Sequence, residues 1–219
     1  MSIHAGDVIQ TDRVSRAGLR AAGGSSVRID RDSRIRFVEM DIVEVEAGGV
    51  YVATAQGAPG FEVRTALGWM RDVGTQFEVR LEGPSLRVRV RTGTVEIRRV
   101  SAVQTTTAGT EAIVTRSGVA VGRLAPYGAV WEWTTSIAPV FPFEGQSLGM
   151  FLQRVSLEEG WTLEYADRDI AKIAPRVILH GSVDGLSAEE AVGVAVATSG
   201  LQYRVRDGEL LVSRSTPAR

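Results

Sequence analysis

The most reactive pairing in the 219-residue chain is Gly74-Thr75. A threonine hydroxyl can attack the carbonyl of the residue before it when that peptide is strained. The result is an N→O acyl shift followed by chain cleavage, nucleophilic chemistry that needs neither histidine nor cysteine. Glycine ahead of the threonine permits unusual backbone angles. The same pair also reads as a turn or bulge after which Thr75 starts a strand. Little else in the sequence supports catalysis. There is no cysteine, and the only histidines are His4 and His180. That excludes disulfides, thiolate metal sites, a cysteine nucleophile and a CxxC redox centre. No phosphate loop, metal-ligand spacing or carboxylate pair stands out. Neither an enzyme with turnover nor a metal or cofactor is expected.

Two further groups have the chemistry of recognition. Arg87, Arg89 and Arg91 form a stripe that Arg98 and Arg99 extend. The stripe suits an anionic ligand, or a solvated strand face paired with Glu78, Glu82 and Glu96. Trp131-Glu132-Trp133 suits stacking on sugar or peptide, or packing at a domain junction. The net charge of -1 gives no global basic field, so nucleic acid is not an expected partner. Lys172 is the single lysine among 25 basic residues.

The elements that must position these residues fall into two unlike parts. Residues 1–133 read as short strands with one wet and one buried face. Leu86, Val88 and Val90 alternate with arginines, and Val27-Arg28-Ile29 and Val43-Glu44-Val45 follow the same period. Gly-rich turns separate the strands, which predicts an all-β sandwich, barrel or solenoid-like stack. No helical period is visible before residue 140. Residues 134–140, in a stretch rich in Thr, Ser and Pro, read as a linker. Residues 141–214 change period. Leu148, Phe151, Leu152 and Val155 make one helical stripe behind Ser147. Ser187 and Glu190 form a capping box before a second helix. Asp207-Gly208 marks a terminal hairpin. The expected order is β-α-β-β-α-β-β, a small α+β unit with a frayed tail at 215–219. The fold class is thus mainly β, with that α+β unit attached. Val140 to Phe143 and Glu209 to Ser213 are the expected open sheet edges.

Residues 65–79, with Leu67, Gly68, Gly74, Thr75, Phe77 and Val79, resemble the FecR signature, which continues through Val88 and Val90 to Gly93. The tail from Phe141 to Ser213 is similar to the short N-terminal module of secretins and TonB-dependent receptors, called STN. The resemblance implies a periplasmic protein whose full-length form is anchored in the inner membrane. It implies a partner in the signalling domain of an outer-membrane TonB-dependent transducer. It also implies control of an extracytoplasmic-function sigma factor, often for iron uptake, through an N-terminal segment that is not in this sequence. Self-cleavage at Gly74-Thr75 is a further implication. Phe141, Phe143, Leu148, Phe151, Leu152, Leu210 and Val212 are the candidate partner-binding residues. A cell-envelope scaffold or glycan-binding module is the alternative. The sequence contains no apolar stretch long enough to span a membrane.

Overall fold

The computed structural model describes residues 3–21, 24–55, 57–72, 74–100, 102–139, 141–197 and 199–215. The chain divides into two compact units, Met1–Pro139 and Val140–Arg219.

The first unit contains the strands β1 (Val8–Gln10), β2 (Ala17–Arg20), β3 (Ser26–Ile29), β4 (Arg34–Glu39), β5 (Ile42–Ala47), β6 (Gly49–Ala53) and β7 (Glu62–Thr65). It continues with β8 (Gly68–Asp72), β9 (Gln76–Glu82), β10 (Ser85–Thr92), β11 (Thr94–Arg99), β12 (Ala102–Thr107), β13 (Thr110–Val114) and β14 (Val119–Arg123). They build two seven-stranded sheets, β1-β4-β5-β7-β8-β11-β12 and β2-β3-β6-β9-β10-β13-β14. Each sheet grows in chain order, because the chain lays down neighbouring strands in one sheet and then crosses to the other. The sandwich and the solenoid-like stack are therefore both recognisable here: two sheets face one core, and the chain advances along them. Pairings are antiparallel except β5 with β7, which run parallel.

The alternating pattern carries the core. Leu86, Val88 and Val90 are fully buried, as are Ile29, Val43, Val63, Met70, Phe77, Val79, Val95 and Ile97. They join one apolar cluster drawn from both sheets. Burying a Val, Leu, Ile or Phe side chain is worth roughly 1.5–3 kcal/mol against leaving it exposed. Two glycines of the signature are required by close approach. Gly68 has φ +147°, and a Cβ there would lie 2.6 Å from the Arg98 carbonyl oxygen. Gly93 has φ +76°, and a Cβ there would lie 2.5 Å from Thr75 Cγ2 and 2.8 Å from the Gly74 oxygen.

One expectation for this part needs correction. A 3-10 turn at Ala129–Trp131 leads into helix α1 (Glu132–Thr135). Thr134 is fully buried, so residues read as linker are packed against strands of this unit. A single turn is too short to show a helical period in sequence. Residues 102–107 form the terminal strand β12.

The second unit contains α2 (Leu148–Glu159), β15 (Thr162–Tyr165), α3 (Arg168–Ile173), α4 (Ala188–Ala197), β16 (Leu201–Arg206) and β17 (Glu209–Arg214). Ser147 caps α2 by accepting the Met150 N–H at 3.3 Å. Gly160, at φ +71°, ends it. The Ser187–Glu190 box forms as expected, with the Ser187 N–H donating to Glu190 Oε2 at 2.8 Å and the Glu190 N–H donating to Ser187 Oγ at 3.3 Å. Asp207 and Gly208 both take positive φ in the β16–β17 turn.

The strand order in this unit differs from the expected β-α-β-β-α-β-β. Residues 141–143 form no strand, and Val140 lies outside the described residues. Val177 and Leu179 flank a single bridge between Ser147 and Ile178 rather than lying in a ladder. The observed elements run α2-β15-α3-α4-β16-β17, with a 3-10 turn after α3. The sheet order is β15-β17-β16. Glu209 to Ser213 is consequently central, parallel to β15 and antiparallel to β16. The edges are β15 and β16.

Candidate functional site

The Gly74-Thr75 loop joins β8 to β9, in opposite sheets. Thr75 is buried at 1% exposure and Asp72 at 3%. Asp72 Oδ2 accepts the Thr75 N–H at 3.2 Å and the Thr75 hydroxyl at 3.1 Å. It also accepts the Thr54 hydroxyl. Asp72 Oδ1 accepts the Phe61 N–H. The Thr54 N–H donates to the Thr75 carbonyl at 2.9 Å. One carboxylate thus fixes both the hydroxyl and the amide of the candidate threonine. Gly74 has φ +69°, a left-handed conformation that glycine adopts without steric cost. Val73 lies outside the described residues.

Sequence reading missed Asp72 and Thr54. Asp72 was within reach, because a carboxylate three residues before Thr75 can form an Asx-type turn. Thr54 is brought in from across the fold, and no local pattern reveals it. The other signature residues build the sandwich: Phe77 and Val79 lie in the core, and Leu67 packs against it.

Three arginines of the stripe, Arg87, Arg89 and Arg98, are held in ion pairs. Strand register places Arg28, Tyr51, Glu78, Arg89 and Glu111 in one row across β3, β6, β9, β10 and β13. Glu78, 1% exposed, accepts from Arg80 at 2.9 Å and from Arg89 at 3.2 Å. Arg89 also pairs with Glu111 at 3.2 Å. Arg80 pairs with Asp30, which also holds Arg16 at 2.7 Å. Arg87 pairs with Glu82 at 2.6 Å, and Arg98 pairs with Glu96. At Arg87 and Arg89 the paired strand face is the reading that fits this geometry.

The Trp-Glu-Trp motif covers part of the same row. Trp131 is 1% exposed, and its indole N–H donates to the Ala125 carbonyl at 2.9 Å. Its ring meets Tyr51 edge-on at 6.1 Å, and Trp133 meets Tyr51 at 6.4 Å. Arg91 lies 4.8 Å over Trp131, and Arg80 lies 5.6 Å over Trp133. Arg28 donates to the Thr134 carbonyl at 2.8 Å. Residues 125–136 therefore act as a strap over the outer face of the second sheet.

Burial would push the Asp30 carboxyl up. Hydrogen bonds from Arg16, the Arg31 backbone and Arg80 outweigh burial and hold it below the usual range. A carboxylate lowered in the folded state contributes stability above its unfolded pKa, and that contribution is lost as pH falls through the folded value. Thermal unfolding scanned downward from pH 6 is expected to lose stability below about pH 4. In Asp30→Asn that acid-side loss should be smaller.

The candidate partner-binding residues do not form a surface. Leu148, Leu152, Leu210 and Val212 are fully buried, and Phe143 and Phe151 pack edge-on at 5.1 Å. Phe141 packs partly buried against the same cluster. The apolar spacing that suggested docking builds the core of the second unit. His180 pairs at the surface with Glu144 at 2.9 Å. Among the described residues no cluster of His, Cys, Asp or Glu is arranged to hold a metal. No described helix is long and apolar enough to cross a membrane.

A two-sheet β unit with a loop that exposes Gly74 and buries Thr75, followed by a small α+β unit, defines the architectural class. Residues 7–96 match the family model described as FecR protein, so the first unit carries a domain of the FecR family. Two crystal structures of a candidate anti-sigma factor from Parabacteroides distasonis ATCC 8503, at 1.65 and 2.50 Å resolution, share the fold. Each is 17% identical with a TM-score of 0.50, and the match covers 96% of this chain and 100% or 99% of theirs. No curated protein matches the sequence.

Proposed function

We propose that this chain is a regulator of an extracytoplasmic-function sigma factor, working by protein docking in the periplasm. The observation that carries the reading is the FecR match at 7–96 on a chain whose fold follows a candidate anti-sigma factor from end to end. The second unit serves as an STN-like receiver for an outer-membrane TonB-dependent transducer, often one serving iron uptake. Its open edges β15 and β16 offer free main-chain groups for strand addition. Titration of the full chain with the transducer's signalling domain tests the relay. Saturable binding at tens of micromolar or tighter is the expected result, and no binding in that range contradicts it.

A second reading is favoured by one observation, the Asp72 oxygen shared by the Thr75 hydroxyl and amide. In this reading Thr75 Oγ attacks the Gly74 carbonyl carbon. A C–O ester bond forms and the C–N bond breaks. The hydroxyl proton passes through Asp72 to the released Thr75 amine. Water then hydrolyses the ester, giving fragments 1–74 and 75–219. Intact-mass spectrometry after long incubation should find both fragments, and Thr75→Val should remain whole. A wild-type chain that stays at 23.6 kDa rules the cleavage out.

A further inference from the structure

We infer that a groove at one end of the β sandwich binds an extended acidic segment of a partner protein, which adds to β12 as an eighth strand. The groove, of about 700 Å³, is bordered by the turn between β7 and β8, the end of β11 with Val100, and the start of the β13–β14 turn. Trp69, Arg98, Arg99, Val100, Val103 and Arg116 line it. Trp69 is 53% exposed and Val103 62% exposed, large apolar groups left in water on one face of the sheet, to either side of Arg98. Register sets Arg64, Trp69, Arg98 and Val103 in one row across β7, β8, β11 and β12. The Arg64 guanidinium lies 5.8 Å from the indole centre.

The charge is one-sided. Arg64 is answered by Glu62 and Arg98 by Glu96. Arg99 donates to the Arg116 carbonyl at 2.8 Å. Among the described residues, neither Arg99 nor Arg116 has a carboxylate partner, and no carboxylate lines the groove. An acidic ligand supplies what the groove lacks.

The backbone specifies an extended form. β12 is the terminal strand of its sheet. The Ala108 N–H donates to the Gly93 carbonyl at 2.9 Å, in register with the β11–β12 ladder. Residues Ala102, Gln104 and Thr106 therefore spend their main-chain groups on β11, and those of Val103 and Thr105 point outward. Among the described residues the Thr105 carbonyl accepts only the exposed Gln104 side chain, at 2.9 Å, which an incoming strand displaces. Val103 belongs to both the groove and the open edge, so one ligand meets both. A glycan would use Trp69, but the groove has no carboxylate or amide side chain to read its hydroxyls.

Fluorescence anisotropy on the full chain tests this with a labelled peptide alternating glutamate and valine. Controls are a lysine–valine peptide, an N-methylated acidic peptide and unlabelled chitohexaose. The acidic peptide is expected to bind. Binding should weaken at least about tenfold in R99E/R116E, and likewise for the N-methylated peptide, which needs no variant. Thr105→Pro removes one outward N–H on an edge that tolerates proline, and should weaken binding too. Absence of acidic-peptide binding at millimolar concentration overturns the proposal. So does equal binding by the lysine or N-methylated peptide, or competition by chitohexaose. Failure here leaves the transducer reading standing, because that reading uses the edges of the second unit.

Discussion

Glu78→Ala is expected to cause one of the largest losses of stability open to a single substitution in the first unit. Glu78 is 1% exposed and is the acceptor shared by Arg80 and Arg89. Removing it leaves two half-buried guanidinium groups short of a partner and opens a void between β6 and β10. Breaking a buried ion pair by removing one side costs about 3–5 kcal/mol. Arg80 keeps Asp30 and Arg89 keeps Glu111, so the low end applies, about 3 kcal/mol. That corresponds to a fall on the order of 10 °C in the first unit's unfolding temperature. Calorimetry with Glu78→Met, Arg89→Met and their double variant distinguishes charge from packing. If the unpaired charge is the cause, the double variant should be more stable than the sum of the single losses implies. Additive losses would show that the row contributes by packing alone.

The second large effect is expected at Asp72, whose carboxylate receives Thr54, Phe61 and both donors of Thr75. Asp72→Ala leaves these buried donors without an acceptor, at about 1–3 kcal/mol for each that finds no water. A total of about 3 kcal/mol or more is expected. Asp72→Asn keeps one acceptor oxygen and should fall between Ala and wild type. Hydrogen exchange reads the effect locally. Protection of the Phe61 and Thr75 amides should drop before that of Val88 in β10. Uniform loss across the unit, or no loss in Asp72→Ala, would contradict the clamp.

Period-2 alternation made the first unit legible. The faces of Leu86, Val88 and Val90 could be read because one side must be buried and the other wet. Leu148, Phe151 and Leu152 marked α2 in the same way. Non-local pairing is not visible in local sequence. Nothing in Glu209 to Ser213 says that β15 will lie beside it in parallel, because that neighbour arrives through intervening helices. Phe141 and Phe143 alternate like a strand, yet they anchor a loop on the second core. Leu148, Phe151, Leu152, Leu210 and Val212 are core and not a docking surface, and composition alone does not distinguish a buried stripe from an exposed one. At the signature, Gly74-Thr75 could be read but Thr54 could not, since a chain fold of 21 positions separates it from Thr75. The arginine stripe showed its charge in sequence, whereas its carboxylate partners depended on strand register.

The central claim is sigma-factor regulation by a chain carrying a FecR domain. The most direct measurement is transcription from promoters of the extracytoplasmic-function sigma factor encoded nearest to it, compared between wild type and a strain lacking this protein. A several-fold change in either direction, reversed by restoring the gene, is the predicted result. Unchanged transcription of every such sigma factor's promoters, under inducing and non-inducing conditions alike, would contradict the account.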